Sequence, residues 1–236
     1  MRIEKLPSDD EALDLPSLAV AIEWPSSDQR HVGFYFHPVN EPLQIIHLGW
    51  HGIFEIKAPA DEYAWVEISG VDPIILDNIA DWIPQTLKAN DGHLPYSIKP
   101  FDADPFDEDG KVIPSLPGDG FTCATFLLWV FVHFHLPLIA VETWRDRKDD
   151  ALWRQKIISA LERTKRRFNI SDEHIAAQLP YVSHAARFRP EEIAGAAGAY
   201  NGQPMSFEST VDHGVEVLAL LRKLGFEPAP AEEGTA

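Results

Sequence analysis

The chain has 236 residues, 45% of them hydrophobic, 11% aromatic and 24% charged, a composition that suits one folded core with room for a smaller helical appendage. Its formal net charge is −17, with the acidic excess almost wholly within residues 1–120; such a surface repels phosphate backbones and anionic lipid, so no nucleic acid and no membrane surface is an expected partner. The single cysteine excludes an internal disulfide framework, and the polar, acidic Met1–Pro16 lacks the apolar stretch of a secretory signal, so a cytoplasmic location is expected.

In chain order, Ser17–Trp24 is apolar and β-branched and closes on Pro25-Ser26-Ser27-Asp28, a turn composition. His31–His37 and Leu43–Trp50 follow, separated by a loop containing Pro38, Asn40 and Pro42. With Ile53–Lys57 and Tyr63–Ile68 they complete an expected antiparallel meander with short connections. The period then changes. Asp72 can cap a helix that begins at Pro73 and carries Ile75, Ile79, Trp82 and Ile83 at helical spacing to about Leu87. Leu94–Lys99 reads as another short strand.

Residues 100–120 form a long connection rich in Pro, Gly and Asp. Its acidic run fails the EF-hand pattern: with Gly110 at the sixth position, Pro105 and Leu116 fall where the first and last calcium ligands belong. Phe121–His135 is apolar on every face, as a centrally buried helix is. His133, His135 and Pro137 interrupt the apolar run Phe121–Val141, which is read as a core helix and then a strand, Leu138–Thr143, with no integral membrane span. Further helices are expected at Leu152–Phe168, Ser171–Leu179 and His213–Leu224, the last ending at Gly225. Arg163, Lys165, Arg166 and Arg167 end the first of these, where cations suit the helix dipole. The Pro-, Ala- and Glu-rich Glu227–Ala236 reads as a disordered tail. On this reading an α+β core spans 1–145, a helical extension packed on it spans 146–226, and the tail spans 227–236.

Cys123 is the residue whose position most suggests chemistry. Gly118-Asp119-Gly120 supplies a lead-in turn, so Cys123 falls in the first turn of the buried helix. There unpaired N–H groups and the dipole favour thiolate over thiol, and the backbone N–H of Cys123 can hold an oxyanion. A base must stand beside it. Alternation along His31–His37 and Leu43–His51 puts His31 on a defined sheet face and gives His47 and His51 a shared one. An imidazole on a sheet against a helix start is what a Cys–His pair needs, with a third polar group to orient it. Glu55, Glu67 and Tyr35 are further candidates to line the cleft. His133 and His135, two apart on a helix, diverge, and no zinc-type spacing of Cys and His occurs, so no metal is expected.

His31-Val-Gly-Phe-Tyr-Phe, Ile45-Ile46-His47-Leu48 and Thr122-Cys123-Ala124-Thr125-Phe126 together resemble the ordered motifs of circularly permuted papain-like cysteine enzymes. That group includes the permuted NlpC/P60 proteins and the lecithin:retinol acyltransferase-like enzymes. The resemblance covers roughly residues 30–135. It implies a permuted papain-like core, an antiparallel sheet packed on a central buried helix, with Cys123 as nucleophile, His31 as general base and His47 as orienting group. His51 is the alternative for either imidazole. It also implies a peptide or an acyl small molecule as substrate and no cofactor. The Pro38–Pro42 loop is bulkier than the family's Gly-Asp-Gly turn, and Ala124-Thr125 replaces the acidic and His pair of the acyltransferase branch.

The activity expected is that of a cysteine hydrolase or acyltransferase, such as a peptidase or amidase, cleaving an amide or ester through a thioester. The alternative, of another class, is a non-catalytic acidic binding or immunity-type protein on the same scaffold, shielding a basic protein partner.

Overall fold

A computed structural model describes residues 1–5, 16–26, 29–37, 42–113 and 116–226; the expected tail at 227–236 lies outside them. Six strands form one antiparallel sheet: β1 (Ile3–Lys5), β2 (Leu18–Ser26), β3 (Gln29–Phe36), β4 (Gln44–Trp50), β5 (Ile53–Lys57) and β6 (Tyr63–Glu67). Their order is β1-β6-β2-β3-β4-β5. The meander is therefore confined to β2–β5. Strand β6 returns to the other edge of β2, with Ala21 opposite Trp65, and β1, in the polar N-terminal stretch where no strand is expected, adds on beyond it.

Six helices follow: α1 (Pro73–Ala89), α2 (Cys123–His133), α3 (Asp150–Phe168), α4 (Asp172–Ala176), α5 (Pro190–Ala199) and α6 (Phe207–Lys223). The protein is thus α+β. Two expected strands are absent. Leu94–Lys99 makes only an isolated bridge, Tyr96 to Phe121, and Leu138–Thr143 only one from Ile139 to Met205 before a 3-10 turn at Val141–Thr143. Helix α5 escaped the sequence reading because its Ala-Gly composition has no polar face: most of it is buried, so periodicity has nothing to report.

Alternation along β2 and β3 divides the sheet. Leu18, Val20, Ile22, Val32, Phe34 and Phe36 face the helices, whereas Ala19, Ala21 and Tyr35 face a second buried cluster with Ile45, Tyr63 and Trp65. Helix α2 packs on β3 and β4, and α5 on β2, β3, β6 and α2. Phe34 meets Phe126 and Phe131 of α2 at ring separations of 6.3 and 5.6 Å. Helix α2 is 11 residues long, and no helix among the described residues is long and apolar enough to cross a membrane.

The start of α2 is fixed twice. Thr122 and Thr125 form a reciprocal capping box, each hydroxyl accepting from the other's backbone N–H at 2.8 and 3.1 Å, a device whose loss costs about 1 kcal/mol. The preceding residue is pinned to the 95–97 segment, Phe121 donating to the carbonyl of Pro95 (2.9 Å) and accepting from Ser97 (3.0 Å).

Gly33 is the tightest point of β3. A Cβ there would stand 2.5 Å from the Ile46 carbonyl oxygen and 2.9 Å from His47 Cβ, both on β4. Gly33→Ala is therefore expected to force the two strands apart and lower stability by about 1–3 kcal/mol, read as a reduced denaturant midpoint. An unchanged midpoint would show that β3 and β4 yield freely at this position.

Candidate active site

The β3–β4 ladder runs only over Phe34–Phe36 against Gln44–Ile46. Val32 lies on the His31 side of its end, outside the β4 pairing, and its backbone N–H favours the thiolate of Cys123. Helix α2 thus begins where two strands part. Cys123, 7% exposed, is its first residue. The N–H groups of Cys123 and Ala124 belong to the first turn, which has no helical acceptors, and both favour the thiolate.

His31 and Cys123 line one cavity, together with Gln29, Arg30, Tyr96 and Glu191. Alternation sends Val32 toward α2 and His31 toward the opposite face, and the two faces communicate at the open end of the ladder. Among the described residues no hydrogen bond joins the sulfur to an imidazole. His31 Nε2 stands 2.7 Å from His47 Nδ1, and His47 Nε2 stands 3.4 Å from Glu55 Oε1. Glu55 is opposite His47 in the β4–β5 pairing. The structure therefore brings together His31 and His47, and adds Glu55 as the third member of the row.

His47 Nε2 makes no hydrogen bond among the described residues, and either ring can be the donor across the His31–His47 contact. The arrangement that suits a base at the cavity has His47 protonated on Nε2 toward Glu55 and His31 donating through Nε2–H, which leaves the lone pair of His31 on Nδ1.

His51 lies elsewhere. The β4–β5 register shifts between Leu48 and Trp50, and this bulge breaks the alternation that would have kept His51 on the face of His47. The His51 ring instead packs against His174 and His93, centroids 4.7 and 5.8 Å away, and its Nδ1 accepts from the Tyr96 N–H at 3.3 Å. Among the described residues no group of three or more His, Cys, Asp or Glu is placed to hold a metal ion. Of the other cleft candidates, Tyr35 is buried in the second cluster and Glu67 lies on β6 beside Ala19.

The electrostatics correct one expectation. A helix start was expected to lower the thiol's pKa, yet burial pushes Cys123 up to about 11; the N–H groups of Val32, Ala124 and Cys123 itself oppose this without overcoming it. His31 is driven down to about 3 by burial, with His47 and Lys57 adding to the effect. The resting pair is a neutral thiol and a neutral imidazole, not an ion pair.

Three features of the cavity gave no signal in the sequence reading. Arg30 closes on Glu191 of α5 through two hydrogen bonds, 2.6 and 3.1 Å, fastening the start of β3 to the helical region. Trp153 of α3 and Arg187, before α5, form the far wall. Their separation from Cys123 in sequence left no local pattern to find.

Comparisons with protein-family models, characterised proteins and solved structures give no match to this chain.

The buried imidazoles make stability pH-dependent. His51 is held at about 4, through burial first and then His174 and His93, and His31 at about 3, against 6.5 in an unfolded chain. Between those values the unfolded chain binds more protons, so stability is complete above about pH 6.5 and declines as pH falls toward 4 and below. Thermal midpoints are expected to be flat near pH 7 and to drop steadily under pH 6.5, with His51→Gln flattening part of that slope. A slope identical in the variant would remove His51 from this account.

Proposed function

We propose that the chain is a cysteine hydrolase or acyltransferase with a permuted papain-like core, acting on an amide or ester carbonyl through a thioester. The observation that carries this reading is the single cavity containing both Cys123, at the start of α2, and His31, whose imidazole is backed by His47 and Glu55.

Catalysis would begin with alignment of His31 Nδ1 on the thiol. The thiol proton passes to Nδ1 as sulfur attacks the carbonyl carbon, and the new positive charge on His31 is shared toward His47 and Glu55. The oxyanion is held by the N–H groups of Cys123 and Ala124. Collapse expels the amine or alcohol, which takes the proton from His31 and leaves an acyl-Cys123 thioester. Water or a second acceptor, deprotonated by His31, then attacks the thioester; the acyl group departs and the proton returns to sulfur. Because the resting thiol is neutral, proton removal and attack are coupled, and His31 contributes as a general base rather than as a counter-ion.

Incubation with p-nitrophenyl butyrate followed by intact-mass measurement tests the scheme. A butyryl adduct is expected on Cys123, absent in Cys123→Ala, and formed about 10²–10⁴-fold more slowly in His31→Ala, with both variants folded by circular dichroism. An adduct that persists without Cys123 overturns the assignment. Complete absence of acylation in the folded chain favours the binding-protein alternative.

In the folded chain, iodoacetamide should label Cys123 slowly at pH 7, with a rate still rising above pH 9, as the raised thiol pKa requires. A rate already at its plateau at pH 7 would mean that the thiolate is preformed.

A further inference from the structure

One cluster of titratable side chains takes no part in the chemistry proposed above. His51, directly after β4, and His174, on α4, meet edge to face with ring centroids 4.7 Å apart, and both reach the backbone of Tyr96. The Tyr96 N–H donates to His51 Nδ1 at 3.3 Å, and the Tyr96 carbonyl accepts from His174 Nε2 at 3.0 Å. His174 Nδ1 in turn accepts from the Gly118 N–H at 3.3 Å. A backbone N–H can only donate and a carbonyl can only accept, so each ring needs a bare Nδ1. Both are therefore neutral, with the proton on Nε2.

What this pair holds is the approach to Cys123. Tyr96 and Trp50 line the Cys123 cavity, and their rings pack 4.5 Å apart. Pro95 and Ser97, on either side of Tyr96, are the residues that pin Phe121, two before Cys123. Gly118 belongs to the lead-in turn of α2, and its carbonyl accepts from the Ser97 hydroxyl at 2.5 Å. The titratable and charged groups around the pair come from several elements. His93 faces His51, its ring centroid 5.8 Å away. Asp119 faces His174 and is itself paired with Lys99 at 2.6 Å. Cys123 and Arg187 stand across Tyr96 in the cavity.

A ring that takes a second proton can no longer accept at Nδ1; it meets the backbone donor with another donor. Burial opposes the charge on both rings, and at His51 the two neighbouring imidazoles add to the effect. Proton uptake therefore favours a state in which the rings reach water. We propose that His51 and His174 form an acid-released latch: protonation breaks their bonds to Tyr96 and Gly118, and the wall of the Cys123 cavity opens while the rest of the chain stays folded. As regulation of catalysis this rests on the reading of Cys123 as nucleophile; the opening itself does not. His31, held at about 3, is still unprotonated where His51, held at about 4, gains its proton, so the opened site keeps its base.

Labelling of Cys123 with 4,4′-dithiodipyridine, which reacts with thiols in mild acid, reads the opening directly. Dividing the rate in the folded chain by that in the guanidinium-unfolded chain at the same pH removes the pH dependence of the thiol reaction. The ratio should rise about tenfold or more from pH 7.5 to pH 5, with far-ultraviolet circular dichroism unchanged and little acceleration by low urea. A flat ratio overturns the latch. So does a rise that urea accelerates as steeply as global unfolding. These two outcomes need no variant. His51→Asn, which keeps an acceptor near the place of Nδ1 without titrating, and His174→Asn should each cut the rise about threefold or more; a full rise in both folded variants assigns the opening to other groups and overturns the proposal. Labelling requires no acylation of Cys123, so a failure of acylation with the rise intact sinks the catalytic reading alone.

Discussion

The site is built where the β3–β4 ladder stops, at Phe34. Had the β3–β4 ladder continued past Phe34, the Val32 N–H would have been consumed by β4 and the end of the sheet closed. Instead the ladder stops, the first turn of α2 sits at its end, and the Val32 N–H favours the Cys123 thiolate. Fixing that turn are its threonine capping box, the bond from Phe121 to Pro95 and the aromatic packing of Phe34 on Phe126 and Phe131.

From that opening, polar groups extend in two directions. Along the strands, His31, His47 and Glu55 occupy consecutive strands and form a row from a nitrogen at the cavity to a carboxylate at the surface. Gly33 permits the row, since any side chain there would occupy the approach of His47 to β3. Away from the sheet, Arg30 and Glu191 lead into a set of buried ion pairs among Arg147, Asp150, Arg187 and Glu192. Pairs of this kind gain little net stability, but breaking one strands a charge, so they fix the wall around the nucleophile.

Much of this was legible in the residues because it is local. The four strands β2–β5, the cap of α1 and the burial of α2 all follow from patterns of a few residues. Glu55 could have been placed more firmly: a hairpin turning around His51-Gly52 puts it opposite His47. What escaped has identifiable causes. The return of β6 to β2 is a choice among strand edges that alternation cannot make. The bulge at Leu48–Trp50 reversed the side chain of His51, and a bulge has no signature in a run such as His47-Leu48-Gly49-Trp50-His51 beyond its glycine. Arg187 and Trp153 reach the cavity through tertiary packing alone. The thiol's proton affinity was misjudged because the sequence displays the helix start but not the depth of burial, and burial is the stronger influence.

The neutral state of Cys123 bears on its durability. Peroxides and other two-electron oxidants attack thiolates, and the chain has no second cysteine that could trap a sulfenic acid as an internal disulfide. A sulfur kept protonated and 7% exposed presents such oxidants with little to react with. The burial that withholds nucleophilicity at rest therefore also shields the only thiol of the protein from irreversible damage.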